Sequence, residues 1–269
     1  MNGSQLISKA FNDSVKNRFW LILGFPILIY FILNFVFGDD SIISYLILII
    51  MFIIELGVIY KVIYHILEGN SELPKADFKI FDVELITGGI TSFIRLIPFY
   101  ILLALIGYID NFIIYFIGLI ILFILFNLIG LVLAHGINTD SYIDGIVKLP
   151  EMIKSIEIGT LIIFIIVNVF LGLAAAVVMF ILSMIFIFIP ILGFIITVIF
   201  YFIILGVLIL YFVLASTYMY KEYVITNKNE FNENEFNIVL KYPRNTNTTP
   251  ETNDTEASPK YDVTEEKKE

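Results

Sequence analysis

The chain has 269 residues, 59% of them hydrophobic and 15% charged, and its mean hydropathy is +0.94. A soluble domain is about half apolar and about a quarter charged, and a soluble monomer of this size cannot cover so much apolar surface. Composition therefore excludes a soluble globular enzyme and a disordered chain. The net charge of −9 excludes a basic nucleic-acid-binding domain, and zero cysteines with two histidines, His65 and His135, exclude a disulfide framework and a Cys- or His-rich metal centre.

In chain order, residues 1–18 place Leu6, Ile7, Ala10, Phe11, Val15 and Phe19 at helical spacing, with Lys9, Asp13 and Lys16 on the opposite side. This predicts an amphipathic helix at the inner membrane interface. A helix crossing roughly 30 Å of hydrocarbon needs about 20 apolar residues. Such runs follow at about 19–37, 42–64, 87–109 and 111–134. The first is longer than a signal-peptide core and lacks a small-x-small cleavage site, so it reads as a retained span. Ile143, Ile146, Val147, Ile153 and Ile156 then repeat the amphipathic idea, interrupted by Pro150, and the stretch around Phe78–Ile86 is a weaker version. Ile158 to Tyr220 is uncharged for 63 residues, about 95 Å if helical. Pro190 and Gly193 near its middle predict a hairpin turn, with long, tilted spans at about 159–188 and 191–220.

Lys and Arg test the count independently, because they mark cytoplasmic segments. The N-terminus has three, the Lys61–Leu85 loop three, the His135–Glu157 loop two and the tail from Lys221 seven. The turns at Asp39–Ser41, Asp110 and Pro190 have none, and the sixteenth is Arg95. The alternation predicts an all-α integral membrane bundle of six transmembrane helices arranged as three hairpins, with cytoplasmic interfacial helices and both termini inside. Segments starting near Leu6, Phe78 and Ile143 suggest a threefold repeat of interfacial helix plus hairpin. The tail, 221–269, has 11 acidic and seven basic residues. It alternates weakly over Phe236–Tyr242, as a short strand or surface segment would, and its composition predicts disorder after 243.

Ionisable residues inside spans come under functional suspicion first. Glu55 and Arg95 lie at matching depths in consecutive spans, roughly 9–12 Å in, which predicts an ion pair that locks two helices. A proton relay is the competing reading, but no further titratable group lies deeper. Asn34, Asn127 and Asn168 are polar groups of the kind that hold helices together, with Asn168 deepest. Gly118, Gly130, Gly172, Gly206 and Ala174–Ala176 read as close-packing positions. No Ser–His–Asp arrangement, Gly-x-Ser-x-Gly elbow, His-Glu-x-x-His or P-loop occurs.

One region carries a resemblance. Gly57-Val58-Ile59-Tyr60-Lys61 is followed by Leu67-Glu68-Gly69-Asn70, Leu73-Pro74, Asp77-Phe78, Phe81-Asp82 and Gly88-Gly89, and Pro98 lies in the next span. Asp144-Gly145 and Pro190-Ile191-Leu192-Gly193 extend the similarity weakly, to about Tyr223. The stretch resembles a family of uncharacterised polytopic membrane proteins, domain of unknown function 4013, common in methanogenic archaea. Gly57 and Tyr60 are separated here by two residues, where that family has them adjacent. The resemblance implies an archaeal plasma-membrane protein and no particular activity.

The sequence reading is thus a non-enzymatic multi-pass membrane scaffold or accessory component. Its partners are the lipid bilayer and a membrane or cytoplasmic protein, not nucleic acid, and no cofactor is expected. The alternative is a small-solute transporter or channel with a polar path near Glu55, Arg95 and Asn168.

Overall fold

A computed structural model describes residues 2–38, 42–69, 73, 82–108, 112–186 and 190–226. Every regular element among them is helical: α1 (Gly3–Lys16), α2 (Phe19–Phe37), α3 (Ile42–Leu67), α4 (Val83–Gly107), α5 (Phe112–Thr139), α6 (Asp144–Val147), α7 (Leu149–Ser155), α8 (Ile158–Phe186) and α9 (Pro190–Met219). A π-helical end, Tyr220–Thr226, continues α9. Among the described residues four helices are long and apolar enough to cross a membrane: Ile42–Leu67, Val83–Ile106, Ile158–Met184 and Ile195–Thr226. A fifth is reached if α1 and α2, bent by 77° at residues 17–18, form one broken span. These apolar helices fit a membrane protein.

The 63-residue uncharged stretch divides into two long helices, as its length and central proline suggest. The dividing residues differ from the expectation. Pro190 and Gly193 belong to the first turn of α9, where proline's missing N–H is no loss and its fixed φ suits a helix start. Pro150 likewise sits in the first turn of α7, just after α6 ends.

The expected hairpin partners α2–α3, α4–α5 and α8–α9 do touch, but the most extensive contacts join α3 to α4 and α2 to α9. Both closest pairs have the same construction. A Cβ at Gly57 would collide with the Leu85 carbonyl oxygen, and one at Gly89 with that of Ile53. A Cβ at Gly24 would approach the Phe202 carbonyl, and one at Gly206 would collide with that of Trp20. In each antiparallel crossing a glycine lies against the carbonyl four residues before the partner's glycine. Small residues let apolar helix backbones approach in this way, and the approach admits Cα–H···O contacts. Trp20–Phe202 and Phe52–Phe93 ring contacts flank the two crossings. α9 is the central element, touching α1, α2, α3, α5 and α8.

Burial is uneven along the long helices. α3 is buried at Leu56–Ile59, Val62, Ile63, Ile66 and Leu67, whereas Ser44 is the buried residue of its first half. In α8 the buried residues are Thr160, Phe164 and Asn168, all near its start. α9 is buried at Leu210, Tyr211 and 213–217. The core therefore sits at the end of the bundle that carries α1, α6 and α7. Among the described residues, the other end presents apolar side chains outward.

Two expectations about small residues and interfacial helices need correction. Gly172 has nothing within 4 Å of a would-be Cβ, and Ala174 and Ala176 are exposed. They are not packing positions, because α8 is buried only up to Asn168. The apolar stripe of α1 is not turned wholly to the membrane interface. Leu6, Ile7 and Ala10 are buried in the protein core where α1 lies on α8 and α9. Residues 78–81 and the alternating segment 236–242 lie outside the described residues.

Candidate functional site

Several buried polar groups of the long helices, Arg95, Asn127 and Asn168 among them, lie at helix contacts. Arg95 is 3% exposed. It lies six residues beyond Gly89, about 120° round α4 from the glycine that meets α3. It therefore faces α5, where its side chain lies against Gly136. Long side chains on a helix lean toward its N-terminus, and this one reaches the end of α5. Arg95 Nε donates to the Ser141 carbonyl at 3.0 Å. Nη2 is 3.9 Å from Asp140 Oδ1, and the guanidinium lies 5.6 Å from the Tyr142 ring centre. Nη1 has no hydrogen-bond partner among the described residues.

The loop over Arg95 is held by the helix end itself. Ser141 N–H donates to the Gly136 carbonyl at 3.1 Å, and Asp140 between them has φ +55°. This closure puts a left-handed residue just past the helix, usually glycine. An aspartate there bears a cost of about 1 kcal/mol and in return carries a carboxylate over Arg95.

The expected Glu55–Arg95 pair is thus not formed. The crossing levels Ile53–Gly57, and with it Glu55, with Leu85–Gly89; Arg95 stands six residues further along α4, and rotation about that helix sends it to α5. Glu55 is half-buried on α3 and within electrostatic reach of Tyr100. Asn127 and Asn168 are brought together: Asn168 Nδ2 donates to Asn127 Oδ1, joining α8 to α5, and both side chains are buried. Nothing is described of the Asn34 side chain. Of the motif residues, Gly57, Tyr60 and Gly88 meet at the α3–α4 crossing, where Gly88 lies against the Tyr60 ring. Leu73 packs half-buried on the core and Pro98 is exposed inside α4. Pro74, Asp77 and Phe78 lie outside the described residues.

The chain matches no family model, no curated protein and no solved structure.

Several polar contacts at this end were not singled out in the sequence. His135 Nδ1 lies 3.0 Å from the Tyr220 hydroxyl, and Asn138 Nδ2 donates to the same oxygen at 3.1 Å, all three buried. They tie α5 to the π-helical end of α9. Lys221 Nζ donates to the Ile66 carbonyl at 2.9 Å, placing a cation at the C-terminus of α3, where the helix dipole favours one. Lys61 Nζ is 2.6 Å from Asp82 Oδ2, and Asp82 caps α4 by accepting from Leu85 N–H at 2.9 Å. The Lys61 bond first, and the Leu85 N–H second, hold the Asp82 carboxyl below the usual aspartate range. Its contribution to stability is therefore present above about pH 3.9 and is lost as pH falls through the lowered value. Asp82 before an apolar run, and Asn138–Ser141 after one, are helix start and stop signals that could have located both sites.

Proposed function

We propose that the chain is a six-span membrane protein, built as three hairpins with both termini in the cytoplasm, that acts as a non-enzymatic scaffold or accessory component for a membrane or cytoplasmic protein partner. α2 and α5, helices of 19 and 28 residues, supply the spans that complete the six, and the Lys/Arg alternation orients them. The family resemblance supports a place in an archaeal plasma membrane. The observation that carries the scaffold reading is how Arg95, Asn127 and Asn168 are used. Each bonds across a helix contact, which is the use polar groups find when they hold helices together.

Glu55 favours the second reading, a small-solute transporter or channel, because it is half-buried and forms no ion pair among the described residues. Glu55 on α3, Arg95 at the α4–α5 contact and Asn168 at the α5–α8 contact would be its polar groups. Proteoliposomes carrying an internal pH dye separate the two. On the scaffold reading, wild type and Glu55→Gln leave proton and cation permeability at the level of protein-free vesicles. A wild-type flux abolished by Glu55→Gln would replace the scaffold with a transporter.

A further inference from the structure

We infer that α1 and α6 lie in the headgroup layer of the leaflet on the N-terminal side, with their exposed apolar side chains inserted into anionic lipid. The inference rests on the membrane reading above. It starts from a division of α1 into three sectors. Leu6, Ile7, Ala10 and Ser14 are buried against the bundle. Phe11 and Val15 are exposed and lie about 80–120° round from the centre of that stripe, at about 100° per residue. Asn12, Lys16, Lys9 and Asp13 occupy the next sector. A helix that served only to cover the bundle would need one apolar stripe, and the second half of α1 has two further apolar side chains, in a sector that Ser4 and Ser8 occupy nearer its start. Phe11 keeps one edge on Tyr211, with ring centres 6.1 Å apart, whereas Val15 is 52% exposed.

The orientation agrees. α1 turns through 77° into α2, so it runs across the direction of the long helices. Val15 lies only four residues before Phe19, where α2 begins. That is the position of a helix lying in the plane of the interface.

A second element, far away in sequence, repeats the arrangement. In and just before α6, Tyr142, Ile143 and Val147 are exposed, Val147 by 60%, while Gly145 and Leu149 are buried. Val83 in the first turn of α4 and Ile158 at the start of α8 are also exposed. Apolar side chains therefore stand out where the chain enters three of its long helices. Cations accompany those of α1, where Lys16 and Arg18 follow Val15; Lys148, after Val147, is 3.2 Å from Glu151. The whole chain is acidic at −9, so the cations at the α1 end select an anionic layer where the overall charge would not.

The absence of cysteine permits single-cysteine fluorophores in the full chain at Val15, Val147, Asn12 and Phe170. The protein is placed in nanodiscs of phosphatidylcholine with a minority of phosphatidylglycerol, with lipid brominated near the headgroup or deep in the chain. Phe170, 68% exposed on α8, reports membrane insertion itself. The inference expects shallow bromine to remove most of the Val15 and Val147 emission, aqueous iodide to quench Asn12 instead, and the shallow quenching to weaken in pure phosphatidylcholine. Iodide quenching at Val15 and Val147, or shielding of both from lipid and water as a protein cover would give, overturns it. Equal quenching in the two lipids overturns the anionic preference. Phe170 unquenched by deep bromine would instead remove the membrane reading on which the inference rests.

Discussion

Arg95 shows that counting residues into a span fixes neither the level nor the facing of a charge. Glu55 lies at the level of the Gly57–Gly89 crossing and Arg95 six residues beyond it, and the partners of Arg95 are Asp140 and Ser141, because its angular position on α4 points it at α5. A double-mutant cycle in detergent measures this directly. Asp140→Asn is expected to lower stability by about 1 kcal/mol, since the aspartate is 72% exposed and the pair is only partly desolvated. Combined with Arg95→Met, its effect should largely vanish. Glu55→Gln and Arg95→Met should add within about 0.5 kcal/mol. Coupling of Arg95 to Glu55 and not to Asp140 would contradict the observed pairing. At this scale the charged and amide residues were legible, because a polar group inside an apolar run stands out. Their partners were not, since Asn127 meets Asn168 across 41 positions and Arg95 meets Ser141 across 46, and a span count carries no helix rotation.

Helices were the most legible elements, and their ends the least. Span limits set by hydrocarbon thickness ended α3 near 64 and α5 near 134, whereas α3 runs to Leu67 and α5 to Thr139. Both extensions are in the buried end of the bundle, where Leu67, Ile137 and Asn138 pack inside protein, so tertiary packing and not membrane thickness sets the limit. The closest pairings, α3–α4 and α2–α9, were also hidden, because a glycine's meaning depends on what stands opposite it. In the sequence Gly57, Gly88 and Gly89 stand out only as motif residues, and Gly172 is indistinguishable from Gly206. The structure separates them sharply. Gly89→Ala and Gly206→Ala each drive a methyl into a backbone carbonyl and should cost about 1–3 kcal/mol or more. Gly172→Ala should be silent or slightly stabilising, through helix propensity. Thermal unfolding in one detergent ranks the three, and equal losses would mean that the crossings are not the close contacts of this fold.

For the whole molecule, we propose a membrane bundle whose buried end, with α1, α6 and α7, faces the cytoplasm. Hydropathy identified the long helices, and the Lys/Arg distribution proposed their orientation without reference to packing. What composition could not reveal is that the packed core would be concentrated at one end, since apolar residues facing lipid and apolar residues facing protein have the same hydropathy. The most direct measurement is single-cysteine labelling of intact cells, free of background because the native chain has no cysteine. Asp110→Cys is predicted to react with an impermeant thiol reagent from outside, and Ser258→Cys only after the membrane is opened. Labelling of both from outside, or of Ser258→Cys alone, would contradict the six-span topology and with it the orientation of the buried end.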